Sequence, residues 1–153
     1  MRGLELKIPP PAVTVLIAAM MWGVARITPS LELPYLVRMV AAAAGALMAF
    51  GIDIAGLISF RRARTTVNPM KPQASSTLVT TGIYGISRNP MYVGIVCALV
   101  GWGIYLSNAW TLIGPVAFVF YINRFQIGPE ERALAAKFGA VYANYQSAVR
   151  RWL

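Results

Sequence analysis

Four long apolar runs constrain the fold of this chain more than any other feature of its sequence. The first covers residues 12–27. The second covers residues 35–60 and would be about 39 Å long as a helix, more than the roughly 30 Å hydrocarbon core of a bilayer. A third apolar stretch, residues 91–122, would measure about 48 Å as one helix, so we predict a break at Ser107-Asn108 that leaves two halves of about 24 Å each. The pattern predicts four transmembrane helices, the last two of which form a tight helical hairpin.

Composition supports a membrane protein. Of the 153 residues, 58% are hydrophobic and 12% are charged, whereas about one quarter of the residues in a soluble domain are charged. We therefore expect an all-α integral membrane protein in which residues 1–153 form a single membrane domain. The chain has no histidine and one cysteine, Cys97, so an intrachain disulfide is impossible and a zinc site is effectively excluded. We predict no metal.

The distribution of basic residues predicts the orientation of these helices. Five basic residues lie in residues 61–88 and five more in residues 123–153, whereas the loops at residues 28–34 and 107–110 contain none. By the positive-inside rule, we expect both termini and the 61–88 segment to lie on the cytoplasmic side of the membrane. In a bacterium this membrane would be the cytoplasmic membrane. Topology then accounts for the net charge of +9, and we expect no nucleic acid as a partner. The basic residues concerned are Arg61, Arg62, Arg64, Lys71, Arg88, Arg124, Arg132, Lys137, Arg150 and Arg151, with Arg2 and Lys7 in agreement.

The tail after the fourth run has the pattern of an amphipathic helix. Its apolar residues recur at spacings of four, three, four and four, which places them along one stripe of a helix. We expect this cytoplasmic helix to lie on the membrane surface or to close the helical bundle. The stripe consists of Leu134, Phe138, Val141, Tyr145 and Val149.

Two features of the second run bear on packing. Small residues at 41–45 would let another helix approach closely. Asp53 is costly in lipid and is expected to face the interior of the bundle, where Arg61 could pair with it. Arg38 lies about 22 Å from Asp53 along a straight helix, so a direct pair between these two is ruled out.

Two groups of polar residues could carry chemistry. Residues 81–94, with the sequence TGIYGISRNPMYVG, place an arginine and free helix-start N–H groups before an apolar run, where a charged ligand can bind. The second group, around Glu130-Glu131, also matches an ordinary helix start, with Pro129 in the first turn. Because neighbouring helix residues point about 100° apart, one of the two glutamates is expected to bind a ligand and the other to cap the helix or to pair with an arginine.

Together these residues resemble the isoprenylcysteine carboxyl methyltransferase and phospholipid methyltransferase superfamily, in the form of its small bacterial members. The resemblance covers residues 61–153 and includes the approach Thr-Thr-Val-Asn-Pro at 65–69. Asn89 stands where isoprenylcysteine enzymes usually carry histidine, so the resemblance bears on the cofactor more than on the substrate. The matching motifs are Gly82-Ile83-Tyr84, the run Arg88-Asn89-Pro90-Met91-Tyr92-Val93-Gly94, Glu130-Glu131, Phe138-Gly139, Tyr142, Tyr145 and Arg151-Trp152.

The resemblance implies a methyltransferase that uses S-adenosyl-L-methionine (SAM). Residues 1–60 would supply two N-terminal transmembrane helices, and residues 61–153 the methyltransferase core, with the cofactor at the cytoplasmic ends of the last two helices. The acceptor would be a small lipophilic or membrane-bound molecule from the bilayer, such as an isoprenylcysteine carboxylate, a lipid amine or a thiol. Arg124 and Glu131 are the predicted catalytic residues, Arg124 to orient a carboxylate acceptor. The predicted cofactor-binding residues are Tyr84, Arg88, Asn89, Pro90, Tyr92, Gly94, Glu130 and Glu131.

Two other functions remain open at the level of sequence. Distant sterol and steroid reductases share this type of helical scaffold, so an NADPH-dependent membrane reductase is one alternative. The other is a non-enzymatic membrane subunit whose arginines only set topology. Besides lipids and the lipophilic acceptor, we predict no partner; an oligomer is compatible with the sequence but not indicated by it.

Overall fold

The computed structural model describes residues 5–63 and 77–153, and in those residues it contains helices and turns without strands. The all-α class is therefore confirmed. Predictions that concern Arg2, Arg64, Lys71 and residues 65–69 lie outside the described part of the chain. The α-helices are α1 (Pro10–Ile27), α2 (Tyr35–Arg62), α3 (Pro90–Tyr105), α4 (Ile113–Ile122), α5 (Gly128–Phe138) and α6 (Ala140–Ala148). Two short 3-10 turns, Gly82–Gly85 and Ala109–Leu112, and a π-helical turn, Asn123–Ile127, complete the described elements.

Two helices, α1 and α2, are long and apolar enough to cross a membrane. Helix α3 is apolar but shorter, with 16 residues. The number of crossings therefore stays a prediction. The outward faces of these helices are apolar: Val15 is 70% exposed, Leu47 70% and Phe120 of α4 72%. Side chains of this kind, exposed over several neighbouring helices, suit contact with lipid better than contact with water.

Helices α2 and α3 pack closely through small residues, as predicted. A Cβ atom added to Gly45 would lie 2.7 Å from the carbonyl oxygen of Cys97, and one added to Gly101 would lie 2.7 Å from that of Ala41. Such separations are too short for real side chains, so the two backbones can meet only because these positions are glycine. The contact orients α3, and with it the residues that precede α3.

The core lies between α1, α3 and α4. Ile17 and Met21 of α1 are 5% and 2% exposed, and they share a buried cluster with Leu99 of α3 and Phe118 of α4. Trp102 is packed against this cluster and donates its indole N–H to the carbonyl of Ala18 at 3.1 Å. Helix α1 is thereby fixed to the α3 and α4 pair.

Polar contacts hold the loops together at one end of the fold. The Asn108 side-chain amide donates to the Thr28 hydroxyl at 2.7 Å and to the Pro29 carbonyl at 3.0 Å. The backbone N–H of Leu31 donates to the carbonyl of Ser107 at 2.6 Å. This end therefore joins the α1–α2 loop to the turn between α3 and α4, whereas the predicted site residues lie at the opposite end.

The tail differs from the single helix that the sequence predicts. Gly139 has a φ of 51°, which ends α5 and lets α6 begin in a new direction. The apolar stripe is consequently broken: Val141 is 63% exposed, whereas Tyr142 is 2% exposed. The stripe prediction was wrong at Val141 because it assumed one continuous axis through residues 134–149.

The predicted ion pair of Asp53 with Arg61 is absent from the described part of the chain, and Arg38, as expected from its distance along α2, does not pair with Asp53 either. Arg38 instead donates from Nε to the Tyr105 carbonyl at 2.7 Å, and its guanidinium lies 5.3 Å from the centre of the Tyr105 ring. Arg38 therefore donates to a backbone carbonyl that has no partner within α3, at the C-terminal end of that helix, and does not pair with a carboxylate.

Candidate functional site

The turn before α3 is held against α2 and α6. Gly82 has a φ of 65°, and a Cβ atom there would lie 2.7 Å from the Ser59 hydroxyl oxygen. Tyr84 packs edge-on against Phe60 with ring centres 5.2 Å apart, and its carbonyl accepts a hydrogen bond from the Tyr145 hydroxyl at 2.6 Å. These contacts hold the turn against α2 and α6 and so fix the position from which residues 87–89 continue.

Residues 87–89 bind the backbone of the tail after α6. The Arg88 N–H donates to the Arg150 carbonyl at 2.9 Å, and the Asn89 side-chain amide donates to the Arg151 carbonyl at 2.9 Å. Ser87, 2% exposed, donates from its hydroxyl to the same Arg151 carbonyl at 3.4 Å. We call residues 149–152 the strap, because they cross the site next to the start of α3.

Arg88 and Glu131 form a largely buried ion pair at the centre of the site. Nη2 of Arg88 lies 2.9 Å from Oε1 of Glu131, and the two side chains are 12% and 14% exposed. Nη1 of Arg88 donates to the carbonyls of Gln146 at 3.0 Å and Val149 at 2.7 Å. Arg151 of the strap binds both oxygens of Glu131, at 3.1 and 2.5 Å. Arg88 thus ties together α3, α5 and the strap.

One donor of Arg88 remains without a partner. Its Nε is buried and finds no acceptor in the described residues. A buried guanidinium N–H without an acceptor is unfavourable, and an anionic or carbonyl oxygen of a ligand would relieve it.

Glu130 belongs to a second cluster beside the ion pair. Its Oε1 accepts hydrogen bonds from the Tyr92 hydroxyl at 2.9 Å and from the side-chain amide of Gln126 at 2.6 Å. Burial raises the pKa of Glu130 to about 7, although both hydrogen bonds favour the ionised form and oppose that effect. Glu130 therefore exchanges protons in the neutral range.

Gln126 lies in the π-helical turn that joins α4 to α5. Pro129 has no N–H, so the carbonyl of Phe125 loses its usual partner within the helix. That carbonyl instead accepts the N–H of Leu6 at 3.1 Å, and the Gly128 N–H bonds to Asn123, five residues earlier. Gln126, 2% exposed, then lies one turn before Glu130 on the same side of the helix. The sequence predicts a helix start at Gly128, and α5 does begin there, but it continues from α4 without an intervening loop.

The tyrosines of the site stay protonated. Burial raises the pKa of Tyr142 and of Tyr145 to about 12. Burial also raises the pKa of Tyr84, and the nearby Tyr145 and Glu130 add to the effect. These hydroxyls therefore serve as hydrogen-bond donors and acceptors rather than as bases at neutral pH.

The structure brings most of the predicted site residues to one end of the fold. Arg88, Asn89, Glu131 and the pair Tyr92–Glu130 are linked as described, and Tyr84 is joined to this end through Tyr145. Pro90 begins α3. Gly94 lies close to α2, because a Cβ there would be 3.3 Å from the Cα of Ala49, and its predicted contact with the cofactor stays a prediction.

Arg124 lies apart from the Arg88–Glu131 pair. Its side chain is 52% exposed and pairs with Glu5 at 3.2 Å. Arg132 binds the same carboxylate at 2.5 Å. In this structure Arg124 therefore fixes the N-terminal segment to the π-helical turn, and Arg132 fixes it to α5. The predicted role of Arg124 toward the acceptor is untested.

Sequence reasoning missed two residues of the site, Gln126 and Ser87. Gln126 had a readable signal, since a glutamine four residues before a glutamate faces it on a helix. Ser87 had none, because its contact with the strap depends on how two distant segments meet.

A small cavity of about 110 Å³ lies beside residues 87–90. Ile52 of α2 and Val93 of α3 form part of its wall, and the remaining lining residues are Ile83, Ile86, Ser87, Pro90 and Leu153. Apart from Ser87, this lining is apolar. Residues 87–90 thus contribute both to the polar cluster and to the wall of an apolar cavity.

Comparison with known proteins gives a consistent result. Residues 37–141 match the family model described as phospholipid methyltransferase. The chain is similar to a protein-S-isoprenylcysteine O-methyltransferase of Saccharomyces cerevisiae, with 34% identity over 52% of this chain and 33% of the relative. It is also similar to protein-S-isoprenylcysteine O-methyltransferase B of Arabidopsis thaliana, with 32% identity over 61% of this chain and 47% of the relative.

A third relative, from Haemophilus influenzae, is an uncharacterized protein with 41% identity over 41% of this chain and 100% of its own length. The chain spans about a third and about half of the lengths of the two relatives that have a named activity. No solved structure matches.

Proposed function

The chain belongs to the phospholipid methyltransferase family, and from that membership we propose that it is a SAM-dependent methyltransferase of a lipophilic or membrane-bound acceptor. The observation that carries the proposal is the convergence of residues 87–92 with Glu130 and Glu131 at one end of the helices. These two segments lie about 40 residues apart in sequence, and each contributes charged groups to one cluster.

The chemistry of these side chains fits SAM. The cofactor has a carboxylate, an ammonium and a sulfonium group. The unpartnered Nε of Arg88 suits the carboxylate, and Glu131 suits the ammonium group or the ribose hydroxyls. Tyr84 and Tyr92 supply aromatic faces, which attract cations. These residues would hold the cofactor, with Asn89 and the strap closing the site.

When bound, SAM supplies a methyl group on a positively charged sulfur, which is already activated for transfer. The protein then has to hold the acceptor in line and to exclude water, and such positioning can contribute up to roughly 7–11 kcal/mol. Arg88, anchored to Glu131 and to two backbone carbonyls, has little freedom to move and would therefore hold the cofactor in one position for this transfer. Glu130 is able to take up a proton near neutral pH.

A lipophilic acceptor is supported by the apolar cavity beside the polar cluster. An alkyl or isoprenoid chain placed against Ile52 and Val93 would leave its polar head at residues 87–90, next to Arg88. Two of the relatives are named for the methylation of isoprenylcysteine. We propose an acceptor of the same physical kind, with an apolar chain and a polar group to be methylated.

Calorimetric titration of the purified protein with S-adenosylhomocysteine tests the cofactor. We expect stoichiometric binding that Glu131→Ala weakens at least tenfold, since the cofactor loses a charged partner. Arg132→Ala is the matched control, because Arg132 is exposed and contacts Glu5 instead. NADPH should cause no thermal shift. A folded wild-type protein that binds NADPH but no S-adenosylhomocysteine would contradict the proposal.

The acceptor itself can be found by labelling. Membranes that contain the protein are incubated with methyl-labelled SAM, and the lipid-extractable species that gain the label are identified. We expect one main labelled species, which disappears with Glu131→Ala and persists with Arg132→Ala. Label that appears only in water-soluble molecules would contradict a lipophilic acceptor.

A further inference from the structure

The hydrogen bonds of Glu130 are asymmetric. Both donors, Gln126 and Tyr92, bind the same oxygen, Oε1. The other oxygen, Oε2, accepts no hydrogen bond from the described residues and is not completely enclosed by them. One oxygen is therefore fixed in place, and the other is available to an incoming group.

We propose that Glu130 accepts a proton from the methyl acceptor, and that Gln126 and Tyr92 are positioning residues that hold the Glu130 carboxylate for this step. The inference rests on the proposed methyltransferase function and narrows its substrate class. Such a base is needed only by an acceptor atom that carries a proton, such as an ammonium or a thiol, and not by a carboxylate. The proton leaves the acceptor for Oε2, which frees a lone pair on the acceptor, and Glu130 later returns it to water.

Gln126 lies within the π-helical turn, four residues before Glu130. Single π turns inside helices often occur at functional sites, since they are costly and shift one residue out of the α-helical register. Here the turn is stabilised from outside by Leu6, whose N–H occupies the Phe125 carbonyl left free by Pro129. From this turn, the side-chain amide of Gln126 donates to Oε1 of Glu130 at 2.6 Å.

Other groups near Glu130 bear on its titration and are not changed by the test. Tyr92 faces it from α3, and Tyr84 from the preceding turn. Glu131 adjoins it on α5, and the charge of Glu131 is balanced by Arg88 and Arg151. Removing Gln126 leaves all of these in place.

Infrared difference spectroscopy tests the inference without relying on activity. The protonated carboxyl group of Glu130 gives an infrared band, which is identified by its absence from Glu130→Gln. The intensity of this band is then followed as the pH is raised. Gln126→Met removes the donor with little change in volume, and we expect the midpoint to rise by roughly one to two pH units. Gln146→Met, which changes a glutamine of α6 beside Tyr142, should leave the midpoint unchanged.

The pH dependence of methylation gives a second measurement. We expect the rising limb of kcat for a proton-bearing acceptor to move to higher pH in Gln126→Met by the same amount, with little change in KM. If Gln126→Met does not fold, Tyr92→Phe tests the same point, since it also removes one donor to Oε1. A midpoint that stays fixed in a folded variant would overturn the inference. A wild type that does not bind S-adenosylhomocysteine would overturn the proposed function, while the infrared titration would still decide the role of Gln126.

Discussion

The ionisation of Glu130 affects stability, because its pKa is raised from the ordinary value of 4.5 to about 7 in the fold. A raised pKa means that the folded protein binds the proton more tightly than the unfolded chain does. The associated stability is fully present below about pH 4.5 and is lost as the pH rises to about 7, by roughly 3 kcal/mol in total. Glu130→Gln removes this dependence. Thermal unfolding in detergent between pH 4.5 and 8 should show a flatter stability profile for the variant, and parallel profiles would contradict the shift.

The ion pairs of Arg88 and Arg124 contribute very different amounts to the free energy of unfolding. Arg88→Ala leaves Glu131 largely buried with one arginine fewer and frees two backbone carbonyls, so we expect a loss of about 3 kcal/mol. Arg124→Ala breaks an exposed pair and should cost less than about 1 kcal/mol. Unfolding of both variants in one detergent measures the difference. Equal losses would mean that the Arg88 pair is not the centre of this end of the fold.

At the scale of residues, the sequence indicates which side chains carry charge but not which of them meet. Only five acidic residues occur in the chain, so Glu130 and Glu131 stood out at once. The division between them, with Glu131 bound to arginines and Glu130 to uncharged donors, depends on the π turn and the strap, neither of which has a local pattern. The role of each in cofactor binding stays a prediction.

Among the elements, the close approach of another helix to the small residues of α2 was predicted from the sequence, whereas the structure identifies that helix as α3. Gly101→Ala would place a Cβ 2.7 Å from the Ala41 carbonyl oxygen, so the helices must separate, at a cost of about 1–3 kcal/mol. Gly51→Ala is the matched control in α2, since nothing lies within 4 Å of its added Cβ. We expect that variant to be neutral or stabilised by up to about 1 kcal/mol. Thermal unfolding of the two variants measures their stabilities. If Gly51→Ala is destabilised as well, the loss comes from alanine itself and not from the contact between the helices.

The tail is the element that the sequence predicted least well. A regular apolar spacing over residues 134–149 is typical of one helix, and Gly139 does not interrupt that spacing. Its positive φ nevertheless turns the chain, and Tyr142 then replaces Val141 on the buried side. The turn is favoured because it lets Tyr145 bind Tyr84 and lets the strap bind residues 87–89, which are contacts between distant parts of the chain.

For the whole molecule, the two ends of the helices differ in chemistry. One end joins the α1–α2 loop to the turn at Ser107-Asn108 and contains no basic loop residues. The other holds the N-terminal segment, the strap and the Arg88–Glu131 pair. The positive-inside rule places the second end in the cytoplasm if all four apolar helices cross the membrane.

Cysteine labelling in intact cells tests this orientation. Cys97→Ala removes the native thiol, and single cysteines are then introduced as Ser30→Cys in the α1–α2 loop or Ser147→Cys in α6, both of which are exposed. A membrane-impermeant maleimide should label the first variant in intact cells and the second only after permeabilisation, because the polar reagent cannot cross the hydrocarbon core. The Cys97→Ala protein alone should remain unlabelled. Labelling of both sites from outside would mean that the two ends face the same compartment, so that neither the four crossings nor a cytoplasmic cofactor site could stand. Labelling of Ser147→Cys alone would instead retain the four crossings and place the Arg88–Glu131 pair on the outer face, where cytoplasmic SAM could not reach it.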